Sequence, residues 1–460
     1  MFNTFIVRSR LTILPLGVLL ASCATDDVSL GEESAAQNLM ALTRCSESRT
    51  LEDTVLVTRQ AELDALRGCE EIRGDLTIRV FADTDLSPLG SLRAVVGTLH
   101  VGALPFTQGA EFDSPEALSQ EVEGLLQVVD AGWLPSFHGL ESLERVGGLQ
   151  LEHFDAPDLQ AFAALRVLGG HYDGTLGGGL RVGPSSRLVD LGGLEGVTGI
   201  SRLIATDNVS LESLVGIQLG AFLEGALLRD NPRLSNLDPL ATVVGFLGEL
   251  TLDGTGARDL NAFAGKLMTI DRLTIANNAE LVDMSGVKNL TFGRELSVSG
   301  NPKLKSIPSF PSLLFVSSIR VVDNAELEAF SLDSPRLRSG TLSSLSFEGR
   351  DFPRGPDLLL IARNPKLQSI SSPGGFVAAS VMAVHENAGL ASIDLGTLQR
   401  LDLLSIDSNP SLSHIGLGQL EAVDTLEVRD NPALSIAELA GVASFERTLT
   451  GNADEPPLAP

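Results

Sequence analysis

Aromatic side chains are scarce in this 460-residue chain, at 5% of it, with one Trp and one Tyr. Few aromatics together with 46 Gly suit a narrow body with many tight turns. Cysteine is nearly absent: there are three, and none forms a Cys-x-x-Cys pair, which removes the usual redox and zinc-ribbon chemistry. The six histidines, at 100, 138, 153, 171, 385 and 414, show no metal spacing such as His-Glu-x-x-His. Positive charge is in deficit, with 33 Lys and Arg against 59 Asp and Glu and a net charge of −26. Nucleic-acid binding needs a basic footprint and is excluded on this ground; the acidity reads as solubility and mutual repulsion of copies. There is no Gly-x-Ser-x-Gly elbow, and Gly177-Gly178-Gly179 lacks the strand-to-helix context of a phosphate loop and reads as a turn. Beyond the first twenty residues, no apolar run is long enough to cross a bilayer.

What the chain has instead is one phrase, said most clearly at 296–307: Leu-Ser-Val-Ser-Gly-Asn-Pro-Lys-Leu-Lys-Ser-Ile. Its asparagine recurs as Asn208, Asn231, Asn278, Asn301, Asn324, Asn364, Asn387, Asn409 and Asn431, each with Leu three residues later. Most gaps are 22 or 23; the gap of 47 hides a degraded copy with Thr255 at the Asn position, and the gap of 40 holds an insertion. A fixed period in the twenties is the mark of a solenoid, which overrides the three domains that length alone suggests. Apolar residues at minus five and minus three from Asn, as in Leu273 and Ile275, make a short strand with one face inward. Asn ends the strand, and its amide both donates and accepts, so a column of asparagines can satisfy the backbone groups of the turns. The phrase predicts an all-β, right-handed parallel β-helix of about fourteen coils of 22–24 residues. The alternative is a leucine-rich-repeat horseshoe, whose signature places Leu two residues after Asn rather than three. Asp207, Asp230, Asp323 and Asp430 each precede a ladder Asn and read as solvated turn residues.

Arg8 and Arg10 precede an apolar run from Leu11 to Leu20, followed by Ala21, Ser22 and Cys23. A basic start, a short apolar core and small residues at the cut form an export signal. The last four residues resemble the bacterial lipobox, so the resemblance implies a lipoprotein with diacylglyceryl and N-acyl groups on Cys23; the other reading is an ordinary signal with a chance Cys. Several acyl chains anchor firmly. Ala24, where the sorting pattern of that family would otherwise have Asp, implies the outer membrane of a Gram-negative cell, on its periplasmic or surface face. Cleavage removes two Arg and no acid, leaving the chain near −28. Residues 23–44 are an acidic flexible tether.

Cys45 and Cys69 are the pair left in an exported chain, which invites a disulfide closing an N-terminal cap. The stretch Leu66-Arg67-Gly68-Cys69-Glu70-Glu71-Ile72-Arg73-Gly74-Asp75-Leu76-Thr77-Ile78 resembles the opening of the receptor L domain, the β-helical ligand-binding domain of insulin- and EGF-type receptors. Looser echoes follow at 92–99 and 143–151. The resemblance implies a binding scaffold; the chain lacks the family's Cys-rich modules and kinase, so signalling is not implied.

The organisation expected is a signal peptide at 1–22, the tether, irregular coils at 45–200, regular coils at 201–449 and a disordered tail at 450–460. Two interruptions stand out, 103–138 and 331–357, the second with Arg336, Arg338, Arg350 and Arg354. Per-repeat insertions map to one face, often the binding face. The first carries Phe106, Trp133 and Phe137, the candidate binding residues, which either recognise a partner or plug the loop against the first coils. No catalytic constellation, metal set or cofactor motif is present in the sequence. It points to a non-catalytic binding or adhesion module for a protein or glycan; a carbohydrate-active β-helix enzyme and a passive envelope spacer are the alternatives. Two outcomes test the ends of this reading. Cys23→Ser should abolish palmitate labelling and release the protein from membranes. Non-reduced peptide mapping should find Cys45 bonded to Cys69.

Overall fold

The computed structural model describes residues 49–453, apart from 80–83, 103–133, 169–177, 335–355, 373–377 and a few positions between coils (198–199, 221, 244, 266–267, 397 and 421). Within them the chain is an all-β solenoid of about fourteen turns with little helix. Its spine is a parallel sheet in which each coil contributes one strand. The register runs from Leu76 through Leu99, Leu149, Leu180, Leu203, Ala226, Leu250, Leu273, Leu296, Ile319, Leu359, Met382 and Leu404 to Leu426. All of these face inward and are buried. Two residues on, Ile78, Val101, Leu151, Val182 and their successors make a second buried column. Two further strands lengthen the stack, Val55–Val57 before it and Ala443–Thr450 after it.

Each strand of the regular half ends in the same way. The residue before the ladder Asn takes a left-handed conformation: φ is 59° at Asp207, 53° at Asp230, 54° at Asn277, 59° at Asp323 and 53° at Asp430, and Gly300 takes the place at 64°. Asp, Asn and Gly tolerate this region best, which accounts for the aspartates that precede the ladder. The Asn that follows is buried, and its side chain ties successive coils. Asn301 Nδ2 donates to Ile275 O of the preceding coil and to Ser299 O of its own strand, each at 3.0 Å, and to Asn324 Oδ1 at 3.1 Å. Its backbone N–H donates to the same Asn324 Oδ1, also at 3.1 Å. The amide has two hydrogens for three acceptors, so one is shared.

The far side of the coils changes character along the stack. From Ser87 to Val287 it is made of turns, five of them 3₁₀: Ser87–Leu89, Gln160–Phe162, Asp238–Thr242, Asn261–Phe263 and Ser285–Val287. From Ser306 to Gly416 it becomes a second parallel sheet, of five short strands joined through Ile307, Phe330, Ile370, Ile393 and Ile415. A 3₁₀ turn returns at Ile436–Leu439.

Three sequence expectations change here. The first interruption ends sooner than 138, because Leu134 bridges to Phe154, which bridges to Ser185 and so to Asn208. The ladder position is therefore continued N-terminally by Ser185 and then by the apolar Phe154 and Leu134. Phe137 is 2% exposed, with its ring 5.1 Å from that of Phe154 and 5.2 Å from that of Phe162; it is a core residue and not a binding one. Gly178 and Gly179 lie in a strand, Gly178–Val182, instead of a turn. The tail assignment also begins too early. Thr450 ends the last strand, and Asn452 Nδ2 donates to Val428 O at 2.8 Å, closing the ladder.

Both ends are capped. At the start, the helix Gln60–Ala65 covers the first strands, with buried Glu62 accepting from the Thr58 backbone N–H at 2.7 Å. At the finish, Ser444 and Arg447 stand in register with the core residues Val423 and Leu426. Polar side chains in core columns stop the stack from propagating. Phe154→Ala should cost about 3–5 kcal/mol in urea unfolding, as a fully buried ring leaves a cavity, while exposed Val209→Ala should stay within about 0.5 kcal/mol.

Candidate functional site

Side chains that alternate with the core columns point away from the body and make the outward face of the long sheet. Near its N-terminal end this face carries a sealed ionic cluster. Glu152, 7% exposed, receives Arg181 Nε at 2.7 Å and faces His100 Nε2 at 3.6 Å, longer than a hydrogen bond. His100 is 3% exposed. A Cβ at Gly102 would stand 2.9 Å from His100 Nε2, so the bare glycine makes room for the ring. Burial pushes the Glu152 carboxyl up, but the His100 contact, the Arg181 charge and His153 outweigh it and hold it below the ordinary range. The cluster joins three coils; with its imidazole enclosed, it is not placed to meet a substrate.

The middle of the face is charged and internally balanced. Arg272 lies between Glu249 at 3.8 Å and Glu295 at 3.9 Å, and Arg320 pairs with Glu295 from the next coil. Farther on the face turns apolar. Leu358 is in register with Val381 and Val381 with Leu403, while Leu360 neighbours Ala383. The four larger side chains of this group are half-buried. Arg320, in register with Leu360, bounds the island on one side; Thr425, in register with Leu403, bounds it on the other.

The residues singled out by sequence fall into separate places. The nine ladder asparagines form one buried column from Asn208 to Asn431, with Thr255 in the place between Asn231 and Asn278. Cys69 is 1% exposed and disulfide-bonded; Cys23, Cys45, Phe106, Trp133 and the four arginines of the second insertion lie outside the described residues. Among the described residues no group of His, Cys, Asp or Glu could hold a metal ion.

A second column escaped the sequence reading. Asp85, Ser136, Asp158, Asp190, Ser213, Asn236, Asp259, Asp283 and Ser435 each accept from the backbone N–H two residues later, at 2.8–3.3 Å. Each of these begins the turn on the far side of its coil, followed at once by an apolar residue, buried in all but Ile436, such as Leu86, Phe137 or Leu159. The signal was available as Asp, Ser or Asn before an apolar residue, with a second apolar residue three further on.

No family model matches the chain, and neither does any curated protein. Among solved structures it is similar to an internalin from Listeria monocytogenes, at 13% identity over 92% of this chain and 95% of that one, with a TM-score of 0.33. It is also similar to a leucine-rich repeat protein from Bacteroides ovatus, at 14% identity over 81% and 82% of the two chains, with a TM-score of 0.29.

Two pH responses follow from the carboxylates. The lowered Glu152 group stabilises the fold above the unfolded carboxyl value, about 4.3, and that contribution is lost as pH falls through the lower folded value. Glu152→Gln should therefore lower Tm at pH 7, with the deficit shrinking in acid. Asp230 is shifted the other way: burial, then the charges of Asp207 and Asp253, raise it against the pull of Arg229. Asp230→Asn should raise Tm at pH 7, and the gain should fade as acid protonates the parent.

Proposed function

We propose that this chain is a non-catalytic binding scaffold of the bacterial envelope, lipid-anchored through Cys23, which recognises a protein through the outward face of its long sheet. The observation that carries the reading is the aliphatic island of Leu358, Leu360, Val381 and Leu403 between polar borders on that face. Apolar centres with polar rims are how protein partners are bound. A glycan would be met by aromatic platforms, and this island has none. The Leu-Ala-Ser-Cys site after the apolar leader supports the anchor and the outer-membrane address. The receptor L-like opening at 66–78 supports a binding role.

Leu360→Asp combined with Leu403→Asp tests the reading. Capture of an envelope protein by the full chain should weaken at least about tenfold, since central apolar anchors carry most binding energy. The urea midpoint should barely move, because both side chains face outward. Undiminished capture by the folded double variant would show that the partner binds elsewhere.

A further inference from the structure

We propose that the coil containing Thr255 is a built-in stacking fault, the place where the solenoid opens first and divides into two blocks. In the regular ladder each Asn Oδ1 accepts from two donors of the Asn one coil earlier. Asn208 N and Nδ2 reach Asn231 Oδ1 at 3.1 and 3.0 Å; Asn278 N and Nδ2 both reach Asn301 Oδ1 at 3.1 Å. Asn364 does the same to Asn387, at 3.0 and 3.1 Å.

Thr255 breaks this on one side alone. Its backbone N–H and its hydroxyl both donate to Asn278 Oδ1, at 2.9 and 2.6 Å, so the join to the following coil is intact. Toward the preceding coil it offers no amide oxygen. Asn231 stays buried, its Nδ2 held by Ala205 O at 2.8 Å and Arg229 O at 2.9 Å, but among the described residues its backbone N–H makes no hydrogen bond. Thr255 also has no Nδ2 to reach back to the strand before it, as Asn278 reaches Leu252 O at 3.0 Å. A buried N–H without an acceptor is costly; among the described residues of the column it recurs at its last Asn, Asn431, where the stack ends, so inside the column it falls at this join.

The strand of the same coil, Gly245–Asp253, is irregular as well: its register slips between Phe246 and Glu249 against both the strand before it and the strand after it. Gly254, at φ 65°, and Gly256 flank Thr255, and glycine raises the entropy of the open form. Stability in a stacked array is a sum of coil and join terms, so a weak join sets where a cooperative unit ends. Residues 49–243 and 245–453 are then the two blocks, with the strand Gly245–Asp253 and Thr255 in the second.

Residue-resolved hydrogen exchange on the full chain tests this. The amides of Asp230 and Asn231, with those that bond across the strand pair Phe222–Arg229 and Gly245–Asp253, should exchange as a group, about tenfold or more faster than those of Thr255, Asn278, Asn301 and Asn324, which bond to the following coil. Thr255→Asn should slow the whole group to match the regular ladder and raise the urea midpoint. Asn387→Thr, which writes the same fault elsewhere, should speed Asn364 and its neighbours by a similar factor. The proposal is overturned if the group is as protected as Asn301 in the parent chain. It is equally overturned if Asn231 alone is fast, which would mean one unbonded amide and no opening.

Discussion

From Asn208 onward the structure depends on the side-chain amide of one asparagine in every coil but that of Thr255. A parallel sheet satisfies its own backbone, but every coil must also leave the sheet, and the turn that lets it leave strands carbonyls inside the stack. The asparagine supplies a donor to the carbonyl of its own strand, another to that of the preceding coil, and an acceptor for the N–H of the preceding Asn. The joins are buried, which makes their loss expensive. By comparison, the ion pairs that link equivalent positions of successive coils, such as Lys303 with Glu280 and Lys366 with Glu326, are solvent-exposed. Pairs of that kind contribute about 0–1 kcal/mol each. Amides and apolar columns hold the stack, and charge decorates it.

The regular half was legible because the ladder residue and both core columns are written in one alphabet there. Period, strand positions and turn all follow from Leu-x-Val-x-x-Asn and its copies. The irregular half obeys the same geometry in other residues. Leu134, Phe154 and Ser185 hold the ladder position ahead of Asn208, and a search for asparagine passes over all three. Phe137 could be read from sequence as recognising a partner or as plugging the loop, and the two neighbouring phenylalanines that enclose it agree with the second. The cap at the finish was illegible as well, since Ser444 and Arg447 matter through what they replace in register, which composition does not display.

The far side explains how one ladder accommodates two cross-sections. Where an Asp, Ser or Asn accepts from the N–H two residues on, the chain turns, in several coils through a 3₁₀ turn; from Ser306 to Gly416 short strands join the far side and a second sheet forms. The coils with the second sheet are also those whose outward face is most apolar, at Leu358, Val381 and Leu403. The body is thus stiffened by two sheets under the surface proposed to meet a partner, and a rigid support lowers the cost of ordering that surface on binding.

The most direct test of the account is the stability of Asn301→Leu in denaturant, with Lys303→Ala measured beside it. Leucine keeps the bulk but removes every ladder contact, so the change at 301 should cost roughly 1–3 kcal/mol or more. The exposed lysine, two residues away, should cost less than about 0.5 kcal/mol. Equal midpoints and slopes for the two variants would contradict the claim that the asparagine column holds the solenoid together.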